Sequence, residues 1–350
     1  MLLQNIASLD ILATSVFLGG AILILSFALV SYMGLLSSRP SRREAYFAGK
    51  HVVITGGSSG IGKELAGILV GAGASVTLVA RNMTRLQNAA KELAPPDESL
   101  ATAARVNIAS ADCSDAKAVD KMVDDVESQF GPIDILVNSA GTAVGGYFED
   151  LSPETFEFMM KANYFAQLYP THAVFKRMTH RRAGQIVLIS SMAGQIGIIG
   201  HSAYSPSKFA VRGLAEAVWY EGKPFGIGVT VAYPPDTDTP GYQSEKDTMP
   251  PETHEISNSS GVLTAEKVAR GIADGMMRKQ YRVSAGFNGR LLGIVSAGLN
   301  PGVGIGEVLS MPFLRALAPI FIWDHCRVTA KGHAVRFPNA NKEAKPPKQV

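Results

Sequence analysis

Thr55-Gly56-Gly57-Ser58-Ser59-Gly60-Ile61-Gly62 closes an apolar, β-branched run, His51 to Thr55, and opens a helix-patterned stretch near residues 61 to 72. A glycine-rich turn in that setting lets backbone N–H groups approach a pyrophosphate at a helix N-terminus. The same residues in isolation would fit a plain strand-to-helix turn, so the weight rests on the segments downstream. Working outward, Ser75 to Ala80, Arg105 to Ala109, Ile133 to Asn138, Gln185 to Ser191 and Gly228 to Ala232 also read as strands. Between them lie helix-patterned segments near 83–93, 115–129, 154–180 and 203–222. That alternation predicts an α/β fold, a Rossmann-type doubly wound parallel sheet with its ligand at the carboxyl ends of the strands.

A carboxylate about 20 residues beyond the turn would accept from the ribose 2′-hydroxyl of NAD. The chain has no acid between Glu64 and Glu92, whereas Arg81 and Arg85 stand at the exit of the second strand. Two guanidinium groups there suit a 2′-phosphate carrying about −1.5 to −2 charge, so the cofactor expected is NADPH. The other reading makes these arginines ordinary surface residues of the next helix.

Tyr204-Ser-Pro-Ser-Lys208 opens the helix after the fifth strand, and its i, i+4 spacing puts phenol and ammonium on one face. A free tyrosine with a pKa near 10 is poorly matched to proton transfer at neutral pH, and a neighbouring cation would lower it. A lone Tyr-xxx-Lys is common on solvated helices. Here it has company: Asn138-Ser139-Ala140-Gly141 after the fourth strand, Asn163 in the long helix and Ser190-Ser191 ending the fifth strand.

Taken in order over about residues 50 to 285, these patterns resemble the short-chain dehydrogenase/reductase family. The resemblance implies Tyr204 as proton donor to a substrate carbonyl and Lys208 as the group that holds the nicotinamide ribose. It also implies Ser191 as a second donor to the carbonyl oxygen, and Asn163 as the holder of a water that reprotonates the tyrosine. The implied cofactor contacts are Gly56, Ser58, Ser59, Gly60, Ile61 and Gly62 in the turn, then Arg81, Arg85, Asp112, Cys113, Asn138, Gly141, Tyr204 and Lys208. Pro234, Thr237 and Thr239 complete them after the sixth strand. Ser139 stands where the family more often has Asn, and Pro234-Pro235 where it more often has Pro-Gly.

A finer resemblance lies in Leu78-Val-Ala-Arg-Asn82, Tyr147-Phe-Glu-Asp-Leu151, Lys208-Phe-Ala-Val-Arg-Gly-Leu-Ala-Glu216 and Val231-Ala-Tyr-Pro-Pro-Asp-Thr-Asp-Thr-Pro240. These stretches are similar to the branch of the family that reduces a long-chain 3-keto base in sphingolipid synthesis. That branch implies NADPH, an endoplasmic reticulum membrane and a catalytic domain facing the cytosol. Reduction of another lipophilic ketone, a steroid, retinoid or acyl chain, obeys the same logic. A non-catalytic nucleotide- or lipid-binding scaffold is the reading from a different class, and the complete set of catalytic side chains argues against it.

With 33 basic against 30 acidic side chains there is no basic field to attract nucleic acid. Cys113 and Cys326 are far apart and outside any Cys/His ligand spacing, so neither a disulfide framework nor a metal site is expected. Ile11 to Leu36 carries no charge and is long enough to span a bilayer; a cleaved signal peptide fits less well because no Lys or Arg precedes it. Arg39, Arg42 and Arg43 come directly after it, which places the remainder on the cytosolic side.

The expected organisation is therefore an anchor over 1–38, a linker over 39–49, a catalytic domain over 50–285, an apolar membrane-associated or substrate-covering extension over 286–326 and a flexible basic tail over 327–350. Thr237 to Ser260 is expected to be a long mobile loop. Leu309, Phe313, Leu317 and Ile320 recur at helical spacing, as either an interface-lying face or a core-packing one. The partners expected are a long-chain keto base and the lipid bilayer, and the resemblance to the family implies a homodimer or tetramer, with dimerisation through 154–180 and 203–222. Replacing Arg81→Asp should move the cofactor preference toward NADH, read as the ratio of kcat/KM for the two nucleotides; an unchanged ratio would make Arg81 a surface residue.

Overall fold

The computed structural model describes residues 40–94, 105–297, 301, 304–316 and 318–336. Helix α1 (Pro40–Phe47) precedes β1 (His51–Thr55), α2 (Gly60–Gly71), β2 (Ser75–Ala80), α3 (Met83–Leu93), β3 (Val106–Ser110), α4 (Ala116–Phe130) and β4 (Ile135–Asn138). Helix α5 (Pro153–Met159) passes through a π-turn at Met160–Phe165 into α6 (Ala166–Arg181), then β5 (Gly184–Ile189), α7 (Tyr204–Gly222) and β6 (Ile227–Tyr233). Beyond β6 come β7 (Thr237–Asp238), α8 (Pro240–Lys246), α9 (Pro251–Ser260), β8 (Leu263–Thr264), α10 (Ala265–Met277) and β9 (Arg282–Ser284). Helices α11 (Gly286–Val295), α12 (Ile305–Ala316) and α13 (Ala318–Arg336) end the described chain.

Seven strands form one sheet in the order β3-β2-β1-β4-β5-β6-β9, and every neighbouring pair is parallel. This is the doubly wound α/β sheet expected from the alternation. Successive residues of β1 face opposite ways, and both faces are covered. Val52 and Ile54 pack in the core that holds Leu65 and Leu69 of α2 and Ile272 and Met276 of α10. Val53 packs on the other side with Val119 and Val123 of α4 and Val174 of α6. All three strand side chains are fully buried, each stabilising the fold by roughly 1.5–3 kcal/mol of apolar transfer. Two-sided burial explains why these strands read as continuous apolar runs rather than alternating ones.

Strand order reverses between β1 and β4, where Thr55 pairs in register with Asn138. A crevice necessarily opens above that reversal, because the connections leave to opposite faces of the sheet.

Four expectations are corrected. Residues 40–47, expected as part of a linker, form α1: Phe47 is fully buried, Arg43 Nε lies 2.7 Å from Asp274 Oδ1, and Tyr46 donates to Gln185 at 3.0 Å. Residues 237–260, expected as a mobile loop, are largely α8 and α9, because Thr239 caps Tyr242 N–H at 3.1 Å and Pro240 and Pro251 occupy first helical turns. Helix α10 and strand β9 were missed, although Val268, Ala269, Ile272, Ala273 and Met276 recur with a helical period. Residues 327–336, expected within a flexible tail, continue α13, whose Arg336 pairs with Glu149 at 2.9 Å and Asp150 at 2.6 Å.

The expected anchor over 11–36 lies outside the described residues. Leu309, Phe313 and Ile320 are each more than 60% exposed, which removes the core-packing alternative for that face; Leu317 lies outside the described residues. Among the described residues no single helix is long and apolar enough to cross a membrane, while α12 with Ala318–Gly332, bent by 47°, passes that test together by length and composition.

Candidate active site

The crevice at the strand reversal is a cavity of about 620 Å³. Its floor begins at the β1–α2 turn, where Gly56 takes a φ of +67° and a Cβ would stand 2.8 Å from the Ala140 backbone. A side chain there would push the β1 and β4 ends apart. Gly62 is packed behind the turn rather than in the cavity wall, since a Cβ on it would meet the Gly56 carbonyl oxygen at 2.5 Å. Ser59 sits at the N-cap of α2 in extended backbone and makes no capping bond, leaving the helix N-terminus with donors available to an anion. Ser58, Ser59, Gly60 and Ile61 line the cavity beside Arg81 and Arg85. Uncapped donors and two guanidinium groups on one wall fit a dinucleotide that carries a 2′-phosphate.

Asp112 and Cys113 continue that wall. Burial pushes the Asp112 carboxyl up, but bonds from Ser114 N–H at 2.9 Å and Ser114 hydroxyl at 2.7 Å, with Arg81 and Lys161 nearby, hold its pKa below the ordinary value. It is thus a fixed acceptor at neutral pH. Burial pushes the Cys113 thiol up to about 12, so it contributes shape rather than reactivity. Asn138 does not reach the cavity; it is fully buried and donates to Thr171 at 2.9 Å, tying β4 to α6. Gly141, Pro234, Thr237 and Thr239 also line the cavity.

Tyr204 and Lys208 reach the cavity from the first turns of α7. Lys208 is buried; its Nζ donates to the Ile189 carbonyl at 3.1 Å and lies 5.7 Å from the Tyr204 ring centroid. Burial pulls the ammonium down to about 8, against an upward pull from Glu245. The Tyr204 ring is partly open to the cavity, yet protein crowding raises the phenol above its ordinary pKa, and Glu245 pushes the same way. The hydrogen bond with Ser191 opposes that rise and Asp236 adds to it. Here the expectation of a phenol lowered by Lys208 is corrected: desolvation outweighs the cation 5.7 Å away. The chemistry survives the change, because a protonated phenol is a donor and the alkoxide formed from a ketone is a stronger base than a phenolate.

Ser191 lines the cavity and is hydrogen-bonded to Tyr204, so both can meet one carbonyl oxygen. Ser190 instead spends its hydroxyl on the Lys208 backbone carbonyl at 2.8 Å. Asn163 stands behind Gly141, in the π-turn between α5 and α6; such turns recur at functional sites. It accepts from Thr142 N–H at 2.9 Å and donates to Ser207 at 3.1 Å. A Cβ on Gly141 would stand 2.6 Å from Asn163 Oδ1 and 3.3 Å from Lys208 Nζ, so glycine is what lets these groups converge.

Sequence reading missed His201, Asp236, Tyr242 and Glu245, which line the same cavity with Phe158, Ile198, Met249 and Ile256. They come from the segment after β6 and from the turn before α7, and no spacing rule links those segments. Their proximity to Tyr204 in sequence (His201) or to the Pro-Pro segment (Asp236) was the available signal.

The chain matches the short chain dehydrogenase family over residues 50–250. It belongs to that family. It is similar to the 3-dehydrosphinganine reductase of Danio rerio, 42% identical over 86% of this chain and 91% of that protein. The 3-ketodihydrosphingosine reductase of Bos taurus is 41% identical over 85% of this chain and 90% of its own. Among solved structures, the short-chain dehydrogenase from Sphingobium yanoikuyae in complex with NADPH superposes with a TM-score of 0.58 and 26% identity over 67% of this chain and 87% of its own.

Two measurements on ketone reduction test this site. Tyr204→Phe, which removes the donor and keeps the ring, should lower kcat by about 10²- to 10⁴-fold. In the unaltered protein the Lys208 charge is present below about pH 8 and lost above it, so kcat/KM should decline on the alkaline side near pH 8. A Tyr204→Phe protein of full activity, or a flat profile through that range, would show that other groups carry the proton and the charge.

Proposed function

We infer that this protein is a reductase of 3-ketodihydrosphingosine, using NADPH to produce dihydrosphingosine in sphingolipid synthesis. The observation that carries the reading is a single cavity joining an anion-ready glycine turn and paired arginines to Tyr204, Ser191 and Lys208, in a chain 41–42% identical to reductases of that name. NADPH supplies a hydride to C3 of the keto base when bound. Tyr204 then gives its proton to the forming alkoxide, so ketone, hydride and proton become the alcohol. Ser191 donates to the same oxygen and fixes its position beside Tyr204. Lys208 supplies positive charge beneath the site, and Arg81 with Arg85 holds the 2′-phosphate end of the nucleotide. The side of the cavity formed by Phe158, Ile198, Met249 and Ile256 offers apolar surface to the start of an alkyl chain.

The same reading places the protein on the endoplasmic reticulum membrane with its catalytic domain on the cytosolic side. Supporting it are the uncharged run at 11–36, the arginines directly after it, and an exposed apolar face on α12 and α13 that includes Ile305, Leu309, Phe313, Ile320 and Trp323. Association of two or four copies through α5–α6 and α7 is part of the proposal.

Purified full-length protein with 3-ketodihydrosphingosine and NADPH should consume nucleotide and yield dihydrosphingosine; activity confined to a steroid or retinal would replace the substrate assigned. In flotation with liposomes, a chain lacking residues 1–38 should still rise with the lipid, though less completely than the full chain. Complete loss would restrict membrane binding to the first 38 residues.

A further inference from the structure

A sphingoid keto base differs from other long-chain ketones in one group next to the reacting carbon: an amine on C2, protonated at neutral pH. A neutral ketone reductase has no reason to place an anion there. This site has two. Glu245 lines the cavity from α8 with its side chain only 13% exposed, and it acts electrostatically on both Tyr204 and Lys208. Asp236, in the segment after β6, lines the same cavity and also acts on Tyr204.

Neither acid is accounted for by the reaction. A carboxylate beside the proton donor raises the phenol further and favours neither hydride nor proton transfer to a neutral ketone. A partly buried anion is also costly unless compensated. Glu245 has two neighbours of suitable character: Lys208, whose ammonium it favours electrostatically, and His201, whose Nε2 lies 3.0 Å from Glu245 Oε1. That contact is not an aligned hydrogen bond, and among the described residues neither His201 ring nitrogen has a hydrogen-bond partner. The His201 side chain is only 6% exposed and its ring packs edge-on to Tyr204 at 5.4 Å between centroids. A buried imidazole in the cavity wall whose Nδ1 has no partner and whose Nε2 faces only a carboxylate leaves polar capacity for a ligand. Asp236 is held by the Ser257 hydroxyl, which also lies 2.9 Å from the Tyr242 hydroxyl, so this carboxylate is oriented by α8 and α9.

We propose that Glu245, with His201 beside it and Asp236 as a second anion, forms the subsite that takes the C2 ammonium of the substrate. This rests on the assignment of an amino ketone as substrate. The ammonium and the carbonyl are on adjacent carbons, so an anion next to Tyr204 orients the ketone as well as binding it. A lipid ketone without the amine desolvates Glu245 further and brings no positive charge to it, which selects against that ketone. The bound cation also offsets the charge that raises the Tyr204 phenol, so proton donation is assisted by the substrate that belongs there.

The test compares full-length protein acting on 3-ketodihydrosphingosine and on the matching 1-hydroxy-3-ketone that lacks the amine, both with NADPH. The readout is the ratio of the two kcat/KM values. Glu245→Gln, which keeps the shape and removes the charge, should lower that ratio about ten- to hundredfold, the loss expected for a hydrogen bond to a charged group. Glu245→Asp should restore most of it. An unchanged ratio overturns the subsite, whether both activities fall together or neither does. Should Glu245→Gln disturb folding, seen as a lost melting transition or lost NADPH binding, Asp236→Asn reads the same ratio and should lower it in the same direction. No turnover of the amino ketone by the unaltered protein overturns the substrate assignment itself, a separate outcome from a ratio that ignores residue 245.

Discussion

The parallel pairing of β1 with β4 on one edge and β2 on the other is the constraint on which the site depends. Thr55 opposite Asn138 brings the glycine turn and the Ser139-Ala140-Gly141 segment to the same level at the carboxyl end of the sheet. Backbone then approaches backbone so closely at Gly56 that only hydrogen fits between them. Everything that could bind a dinucleotide is spaced from that contact, and burial on both faces leaves the strands no freedom to slip.

A second constraint is the convergence behind Gly141. Asn163 reaches the site from a π-turn, Lys208 from the first turns of α7, and Thr142 and Ser207 hold the amide at both ends. The lysine is dry enough to titrate near 8, and the tyrosine is held protonated by the same dryness. Desolvation, rather than the tyrosine–lysine pair alone, sets the proton chemistry. The acids at 236 and 245 act against the phenolate, which makes sense when the molecule entering the cavity brings a positive charge of its own.

The segment after β6 links chemistry to placement. Thr239 caps α8 and packs over the glycine turn, with its Cγ2 3.1 Å from where a Gly60 Cβ would lie. Helix α9 is in turn clasped by α13, where Tyr147 donates to Glu252 at 2.7 Å and Arg336 lies over the Tyr147 ring at 3.9 Å. The wall of the substrate cavity is thereby continuous with helices whose outer face is apolar and exposed.

Much of this was legible in the linear chain, because the signals are local. Apolar runs bounded by turns predict strands, Gly56 to Gly62 predicts a phosphate-ready turn, and Tyr204 with Lys208 one turn on predicts a shared face. The missed elements depend on partners distant in sequence. Helix α1 is ordered by Asp274 and Gln185, and α13 by Glu149 and Asp150. Residue types and short spacings therefore determined the fold class, the glycine turn and the shared helix face of Tyr204 and Lys208. Only the tertiary structure decided which way the tyrosine titrates, that Asn138 and Gly62 support the cavity rather than line it, and that His201 and Glu245 meet beside Tyr204. Desolvation and long-range charge depend on how densely segments far apart in sequence pack together, and no local pattern records that.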